Sequence, residues 1–206
     1  MWSSTFGSDG EPDEEFMRRM GPPENELPVA LPMNVVLART GDVAAGLSGL
    51  QVYTTGLSFG LVVRMRPSAQ GSFGRTIDEV IWGHGSGIGQ LLLGVEFADG
   101  RRVSSLPLRE RNGDVVLHPG GGSGGMNSVE QSWWLSPLPP EGPVRIVVRC
   151  DALGIEETVT ELDGSAIRRA SRDVVVLWPW ERPLEGGPHE PPQPPEAPPG
   201  SWFAGS

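Results

Sequence analysis

Two histidines at loop edges are the side chains with the clearest capacity for chemistry. His84 lies in WGHGSGIG and His118 in VLHPGG. With an acid such as Asp78, Glu79 or Glu130 they could bind a metal ion or transfer a proton. Their spacing matches no ligand motif, and isolated loop histidines are usually solvated. A hydrolase or metal enzyme using His84 and His118 is therefore an alternative, and no catalytic residue, metal or cofactor is predicted.

A Gly-rich segment matches the residue spacing of two known motifs but lacks the secondary structure that both require. Gly120, Gly122 and Gly125 have the spacing of a dinucleotide-binding loop, and Ser123 lies in a Gly-x-Ser-x-Gly pattern. Both motifs require a helix directly afterwards, whereas the following SVEQSWWLSPLPP does not favour one. Residues 120–125 are instead predicted to form a flexible loop.

Tryptophan is the most unusual residue type in the chain. Trp133 and Trp134 are consecutive, so a shared strand points them to opposite faces. We expect one of them, together with Trp178, to pack in the core, while the other covers another part of the chain or binds a partner. Trp82, beside a Gly-rich loop, and Trp134 are candidate stacking platforms for a ligand such as a sugar.

Charge is concentrated at the two ends of the chain, which has a net charge of −10. Residues 1–27 hold seven acids and two Arg, and residues 179–206 hold four acids and one Arg. Because nucleic-acid binding relies on basic patches, we predict no nucleic-acid partner. No apolar run reaches the roughly 18 residues of a membrane span, so we predict no membrane partner either. The single cysteine, Cys150, suits a buried site and a cytoplasmic location.

Composition divides the chain into one domain and two tails. Residues 28–178 are predicted to form the domain, between an acidic N-terminal tail (1–27) and a Pro-rich disordered C-terminal tail (179–206). Within residues 9–21, acids precede arginines and a Gly-Pro stop, which indicates either a short docking helix or a fraying turn. In the C-terminal tail, Trp202 and Phe203 follow a proline spacer and are candidate anchors for another protein, although an unselected tail explains them equally well.

Alternating apolar residues predict a series of strands. The clearest begin at Leu57 and Val144, with further strands over 29–39, 43–53 and 131–136. Residues 91–105 predict a hairpin with a three-residue loop, because that register pairs Val95 with Val103 and Glu96 with Arg102 and puts Gly100 in the left-handed position. Other short elements are a strand over 115–118, a strand over 157–162 and a helix from about 165 to 173. Residues 67–89 are predicted to be a long polar connection.

These elements predict an all-β, mainly antiparallel fold. Short strands separated by turns, without βαβ units, favour an immunoglobulin-like two-sheet β-sandwich with one short C-terminal helix and disordered termini. An open barrel is the alternative.

Three segments give the chain a family resemblance. LLLGVEFADGRR, WWLSPLPPEGPVRIVVR and DALGIEET together resemble a family of uncharacterised actinobacterial proteins of unknown function. The resemblance covers roughly residues 28–178, and the absence of Lys agrees with a GC-rich genome. It implies no activity, ligand or functional residue.

The sequence leaves three hypotheses for function. The favoured one is a non-enzymatic protein-interaction domain of the cytoplasm, whose partner is another protein recognised through motifs in the tails. The second is a carbohydrate or small-ligand-binding sandwich that uses Trp82 or Trp134. The third is the histidine-based hydrolase or metal enzyme described above.

Overall fold

The computed structural model describes residues 14–73, 76–82, 90–106 and 114–182. These residues form a mostly antiparallel β structure, as the sequence predicts. The predicted tails lie partly outside this description, which begins at Glu14 and ends at Arg182. Among the helices described, none is long and apolar enough to cross a membrane.

The larger sheet has five antiparallel strands. In spatial order they are β2 (Val29–Arg39), β3 (Val43–Val52), β4 (Leu57–Met65), β8 (Ser128–Ser136) and β7 (Val116–Gly124). β2 is an edge strand with a register shift next to Pro32, which has no backbone N–H to donate to a neighbouring strand. The predicted strands over 29–39 and from Leu57 are confirmed.

The smaller sheet has four antiparallel strands. Its order is β10 (Ile155–Asp163), β9 (Pro143–Cys150), β5 (Leu92–Glu96) and β6 (Arg102–Ser104). The predicted hairpin is confirmed in its register, with Val95 opposite Val103 and Glu96 opposite Arg102. Gly100 has φ of 84°, the left-handed conformation that the three-residue loop requires.

The two sheets enclose one core. Phe59 and Leu61 of β4 and Ile146 and Val148 of β9 are buried in the same apolar cluster, as the alternation of both strands predicts. Along one side the sheets meet at a corner where the Thr158 hydroxyl donates to a β2 carbonyl at 3.0 Å. The sheets therefore bury the faces that carry the apolar alternation.

Three short helices and a two-stranded ribbon complete the described structure. The helices are α1 (Glu14–Arg19), α2 (Ile77–Trp82) and α3 (Gly164–Ala170), and the ribbon pairs β1 (Glu26–Leu27) with β11 (Val175–Val176). Short 3-10 turns span Pro67–Ala69, Asp151–Leu153 and Ser171–Asp173. The helix predicted from about residue 165 corresponds to α3, and the Asp163 side chain caps it by accepting from two backbone N–H groups.

Two segments predicted as loops contain regular structure. Residues 120–125 were predicted to be a flexible loop, but β7 continues through Gly124 because its backbone pairs with β8. Residues 67–89 were predicted to be a polar connection, yet they contain α2. Ile77, Val80 and Ile81 are buried on one side of that helix, and this apolar spacing outweighs the polar composition of the segment.

Candidate functional site

The two ends of the described chain come together on the domain and form what we call the terminal surface, residues 14–27 and 174–182. Glu26 and Leu27 pair with Val176 and Val175 in the ribbon, and the Leu177 backbone N–H donates to the Asn25 carbonyl at 2.9 Å. Asn25 is buried, and its amide donates to the Trp178 carbonyl at 2.8 Å. The two end segments are thus one structural unit joined by backbone hydrogen bonds.

Trp134 anchors this unit to the larger sheet. Its indole Nε1 donates to the carbonyl of Arg19, the last residue of α1, at 2.8 Å. Its ring meets Tyr53 edge-on, with centroids 5.6 Å apart, and it passes so close to Gly56 that a Cβ there would clash. Trp134 is consequently 3 % exposed although it points away from the core between the sheets.

Further contacts fix the N-terminal half of the terminal surface. The Arg19 guanidinium donates to the Asp114 carbonyl, and the Glu26 carboxylate accepts from both the backbone N–H and the hydroxyl of Thr54. Nearby, burial raises the pKa of the Tyr53 phenol; a hydrogen bond with Ser58 opposes this shift in part, and the charge of Glu26 adds a smaller upward effect. The described part of the predicted N-terminal tail therefore lies against the domain, and the helix signal in residues 9–21 corresponds to α1.

The terminal surface is unusually apolar. Eleven large apolar side chains are exposed in the described residues, and seven of them belong to this surface. The seven are Phe16, Met17, Leu27, Val175, Val176, Leu177 and Trp178. The seven lie on two segments that the ribbon and the Asn25 hydrogen bond join, and concentrations of exposed apolar side chains often mark binding sites.

A cleft of about 460 Å³ runs through the terminal surface. Met17, Pro22, Trp178 and Trp180 give it apolar walls, and the Arg18 guanidinium stacks over the Trp180 ring at 4.8 Å. Its lining includes two acids, Glu24 and Glu181, and two arginines, Arg18 and Arg182, so the cleft itself has little net charge. Such walls suit an apolar chain segment better than a charged one.

Trp178 does not pack in the core as predicted. It is 53 % exposed, because the strand that precedes it pairs with β1 at the surface and lies in neither of the large sheets. The core position is taken by Trp133, which lies in the apolar cluster while Trp134 points to the opposite face. The prediction that only one of the consecutive tryptophans faces the core is confirmed.

The remaining candidate residues are not brought together in the described structure. His118 is exposed on β7 directly opposite Trp134, and no group of three metal-ligating side chains occurs among the residues described. His84, Trp202 and Phe203 lie outside the described residues, as does the side chain of Trp82. The arrangement of His84 with His118 therefore stays a prediction.

Charged residues on the outer face of the smaller sheet form a solvated network. Arg145 bridges Glu96 at 2.8 Å and Glu161 at 3.0 Å, and hydrogen bonds to these carboxylates, Glu161 first, raise the pKa of its guanidinium. Exposed ion pairs of this kind contribute little to stability. These ion pairs show that the outer face of the smaller sheet is polar and suited to solvent.

Comparisons of this chain with protein-family models, curated proteins and solved structures gave no match. The actinobacterial resemblance stays a prediction.

Proposed function

We propose that this chain is a non-enzymatic protein-interaction domain of the cytoplasm and that its terminal surface binds the partner. The observation that carries the proposal is the concentration of exposed apolar side chains on residues 14–27 and 174–182. Elsewhere in the described residues the exposed large apolar side chains are scattered over separate elements, namely Val36, Leu106, Met126 and Val159. The outer face of the smaller sheet is covered by ion pairs. A single buried cysteine suits the reducing conditions of the cytoplasm.

The partner we propose is another protein that presents an extended apolar segment. In the described residues, the ribbon of β1 and β11 has two strands, so each has one edge without a neighbouring strand. A two-stranded ribbon is marginal in water, and a third strand would satisfy its open backbone groups while covering Leu27 and Val175. The adjacent cleft, with Trp178 in its wall, would receive a side chain from the same segment.

The alternatives have less support from these contacts. A sugar-binding platform needs an accessible ring face, whereas Trp134 is buried and its N–H already donates to the Arg19 carbonyl. For Trp82 this alternative stays a prediction, because its side chain lies outside the described residues. The hydrolase or metal enzyme depends on His84, which lies outside the described residues.

The proposal is tested by affinity capture with matched variants of the full-length chain. In the first variant, Leu177→Ser and Trp178→Ser make the terminal surface polar. In the control, Val36→Ser and Val159→Ser alter side chains that are 66 % and 56 % exposed away from it. All four positions are exposed, so we expect both variants to fold.

The wild-type chain should recover a partner protein, and the first variant should recover at least tenfold less of it. The control should recover the same amount as the wild type. Equal recovery by both variants would contradict the proposal. Light scattering over a range of concentrations identifies self-association. If the only species lost is a dimer of this chain, the proposed heterologous partner is wrong.

A further inference from the structure

The cleft in the terminal surface lies beside both ends of the described chain. Its lining includes Met17, less than one helical turn after Glu14, where the description begins, and Arg182, where the description ends. The segments 1–13 and 183–206, which lie outside the described residues, therefore both start next to this cleft. An aromatic side chain from either segment is a candidate to cover its apolar walls.

Each of these two segments carries a pair of aromatic residues. Trp2 and Phe6 belong to the first segment, and Trp202 and Phe203 belong to the second. All four lie outside the described residues. The length and composition of the chain between each pair and the cleft decide which pair suits it.

The linker that follows Phe6 is long enough to bring this residue back to the cleft. Its sequence is GSDGEPD, seven residues between Phe6 and Glu14. A coil of this length spans about 15 Å on average, whereas Met17 of the cleft lies only about 5 Å along the helix axis from Glu14. Gly7 and Gly10 allow the chain to reverse direction, because glycine adopts left-handed conformations without steric cost.

The linker to the C-terminal pair has the opposite property. Eight of the 17 residues in 183–199 are proline. Chains this rich in proline favour an extended conformation of about 3.1 Å per residue and act as semi-rigid spacers. Such a spacer is expected to carry Trp202 and Phe203 away from the cleft where it starts. The N-terminal pair therefore fits the cleft better.

The side chains of residues 1–6, MWSSTF, match the cleft in chemistry. None of them is charged, so docking removes no charged side chain from water. The apolar walls suit the two aromatic rings, and the carboxylates of Glu24 and Glu181 in the lining can accept the indole N–H of Trp2.

We propose that Trp2 and Phe6 dock in the cleft of their own molecule and cover Trp178 for part of the time. Burial of the two rings is favourable, but it is opposed by the entropy lost when the linker is ordered, so docked and open states are both populated. A partner that needs the cleft binds only the open state, and its apparent affinity falls in proportion to the open fraction. This competition rests on the proposed function, whereas the docking itself does not.

Hydroxyl-radical footprinting of full-length variants, without a partner, tests the docking. In the first variant, Trp2→Ser and Phe6→Ser remove the two rings. In the matched control, Trp202→Ser and Phe203→Ser remove the pair at the other end of the chain. Trp178 should be oxidised about two- to fivefold faster in the first variant than in the wild type, since the wild type is open for only part of the time. In the control it should be oxidised at the wild-type rate.

Two further measurements make this test decisive. Phe59 is 2 % exposed in the core, so its continued protection in every sample shows that the domain is folded. Dilution of the wild-type protein should leave the protection of Trp178 unchanged, because an intramolecular contact does not depend on protein concentration. The proposal is wrong if the first variant does not accelerate the oxidation of Trp178 or if the C-terminal control accelerates it as well. Loss of protection on dilution would also overturn it, since the occupant would then be a second copy of the chain.

The affinity for a partner separates this proposal from the proposed function. The first variant should bind a captured partner more tightly, by the same factor by which the oxidation of Trp178 increases, because both quantities report the open fraction. Equal or weaker binding would contradict the competition. Faster oxidation with no captured partner would support the docking and count against the proposed function alone. A captured partner with unchanged oxidation would count against the docking alone.

Discussion

The indole Nε1 of Trp134 donates a 2.8 Å hydrogen bond to the carbonyl oxygen of Arg19, 115 residues earlier in the chain. This contact joins the outer face of the larger sheet to the C-terminal end of α1. A tryptophan on the solvent side of a sheet would otherwise leave a large apolar ring in water. The N-terminal segment covers the Trp134 ring, and the hydrogen bond to Arg19 fixes the position of this segment on the domain.

Replacing Trp134 with Phe should loosen the terminal surface without unfolding the domain. The change removes the hydrogen bond to Arg19 and part of the ring, and we expect a loss of about 1–3 kcal/mol in unfolding free energy. Amide hydrogen exchange should become faster over residues 16–27, because their attachment to the sheet is weakened.

Trp133→Phe is the matched control for that experiment. It removes the same atoms from the neighbouring position, where the indole N–H has no partner in the described residues and the ring lies in the core. Exchange over residues 16–27 should then stay at the wild-type rate. If both variants accelerate exchange there to the same extent, the proposed anchoring by Trp134 is incorrect.

Gly56 should not tolerate a side chain. A Cβ at this position would lie 2.4 Å from the Leu135 carbonyl oxygen and 2.6 Å from the Trp134 ring. Gly56→Ala is therefore expected to destabilise the protein by about 1–3 kcal/mol, since either the strand or the ring must move. Gly41→Ala, where a Cβ meets nothing within 4 Å, is the control and should be nearly neutral. Chemical denaturation measures both, and equal midpoints would contradict this packing.

The thiol of Cys150 should be inert in the folded protein. Cys150 is 0 % exposed, and burial raises the pKa of its thiol, which outweighs the smaller opposing effect of backbone hydrogen bonds. Iodoacetamide at pH 8.5 should modify it slowly until denaturant is added. Alkylation at the same rate with and without denaturant would show that the thiol is accessible.

The same raised pKa makes stability depend on pH. Above about pH 8.5, the ordinary pKa of a thiol, the unfolded chain releases the Cys150 proton while the folded protein retains it. The unfolded state then binds fewer protons, so stability should fall as the pH rises from that point. This part of the decline should be absent from Cys150→Ala. If the stability of Cys150→Ala falls with pH as much as that of the wild type, other groups cause the decline.

The strands β4, β5 and β9 were predictable because each has one buried face. In β4 and β9 the apolar residues fall at every second position, and the hairpin of β5 and β6 adds a charge pair and a left-handed Gly100 that select one register. The opposite orientations of Trp133 and Trp134 follow from the same two-residue period. These are local signals, and the structure agrees with them.

The elements that were missed depend on partners distant in sequence or on a signal that was overlooked. Glycines disfavour strands, so β7 is stable because β8 supplies its hydrogen bonds. The helix α2 did carry a recognisable start: the Glu79 carboxylate accepts from the Thr76 N–H at 3.1 Å, half of a capping box. That pattern, followed by the apolar residues of α2, could have revealed the helix.

The sequence predicted the type of candidate site, an interaction surface formed by the chain ends, but only part of its position on the domain. The sequence indicated interaction motifs at the ends of the chain, but nothing local to Arg19 or Val175 shows that the two ends pair with each other and cover Trp134. Trp178 was assigned to the core because its hydrophobicity alone cannot distinguish a core strand from a surface ribbon. Contacts between residues more than 100 positions apart decide where this surface forms.

Hydroxyl-radical footprinting of the full-length protein, alone and in the complex recovered by affinity capture, tests the central claim most directly. If the terminal surface binds the partner, Leu177 and Trp178 should be protected in the complex, while Val36 and Val159 are oxidised as in the free protein. Oxidation of Leu177 and Trp178 at the same rate in both samples, or protection confined to Val36 and Val159, would contradict the account.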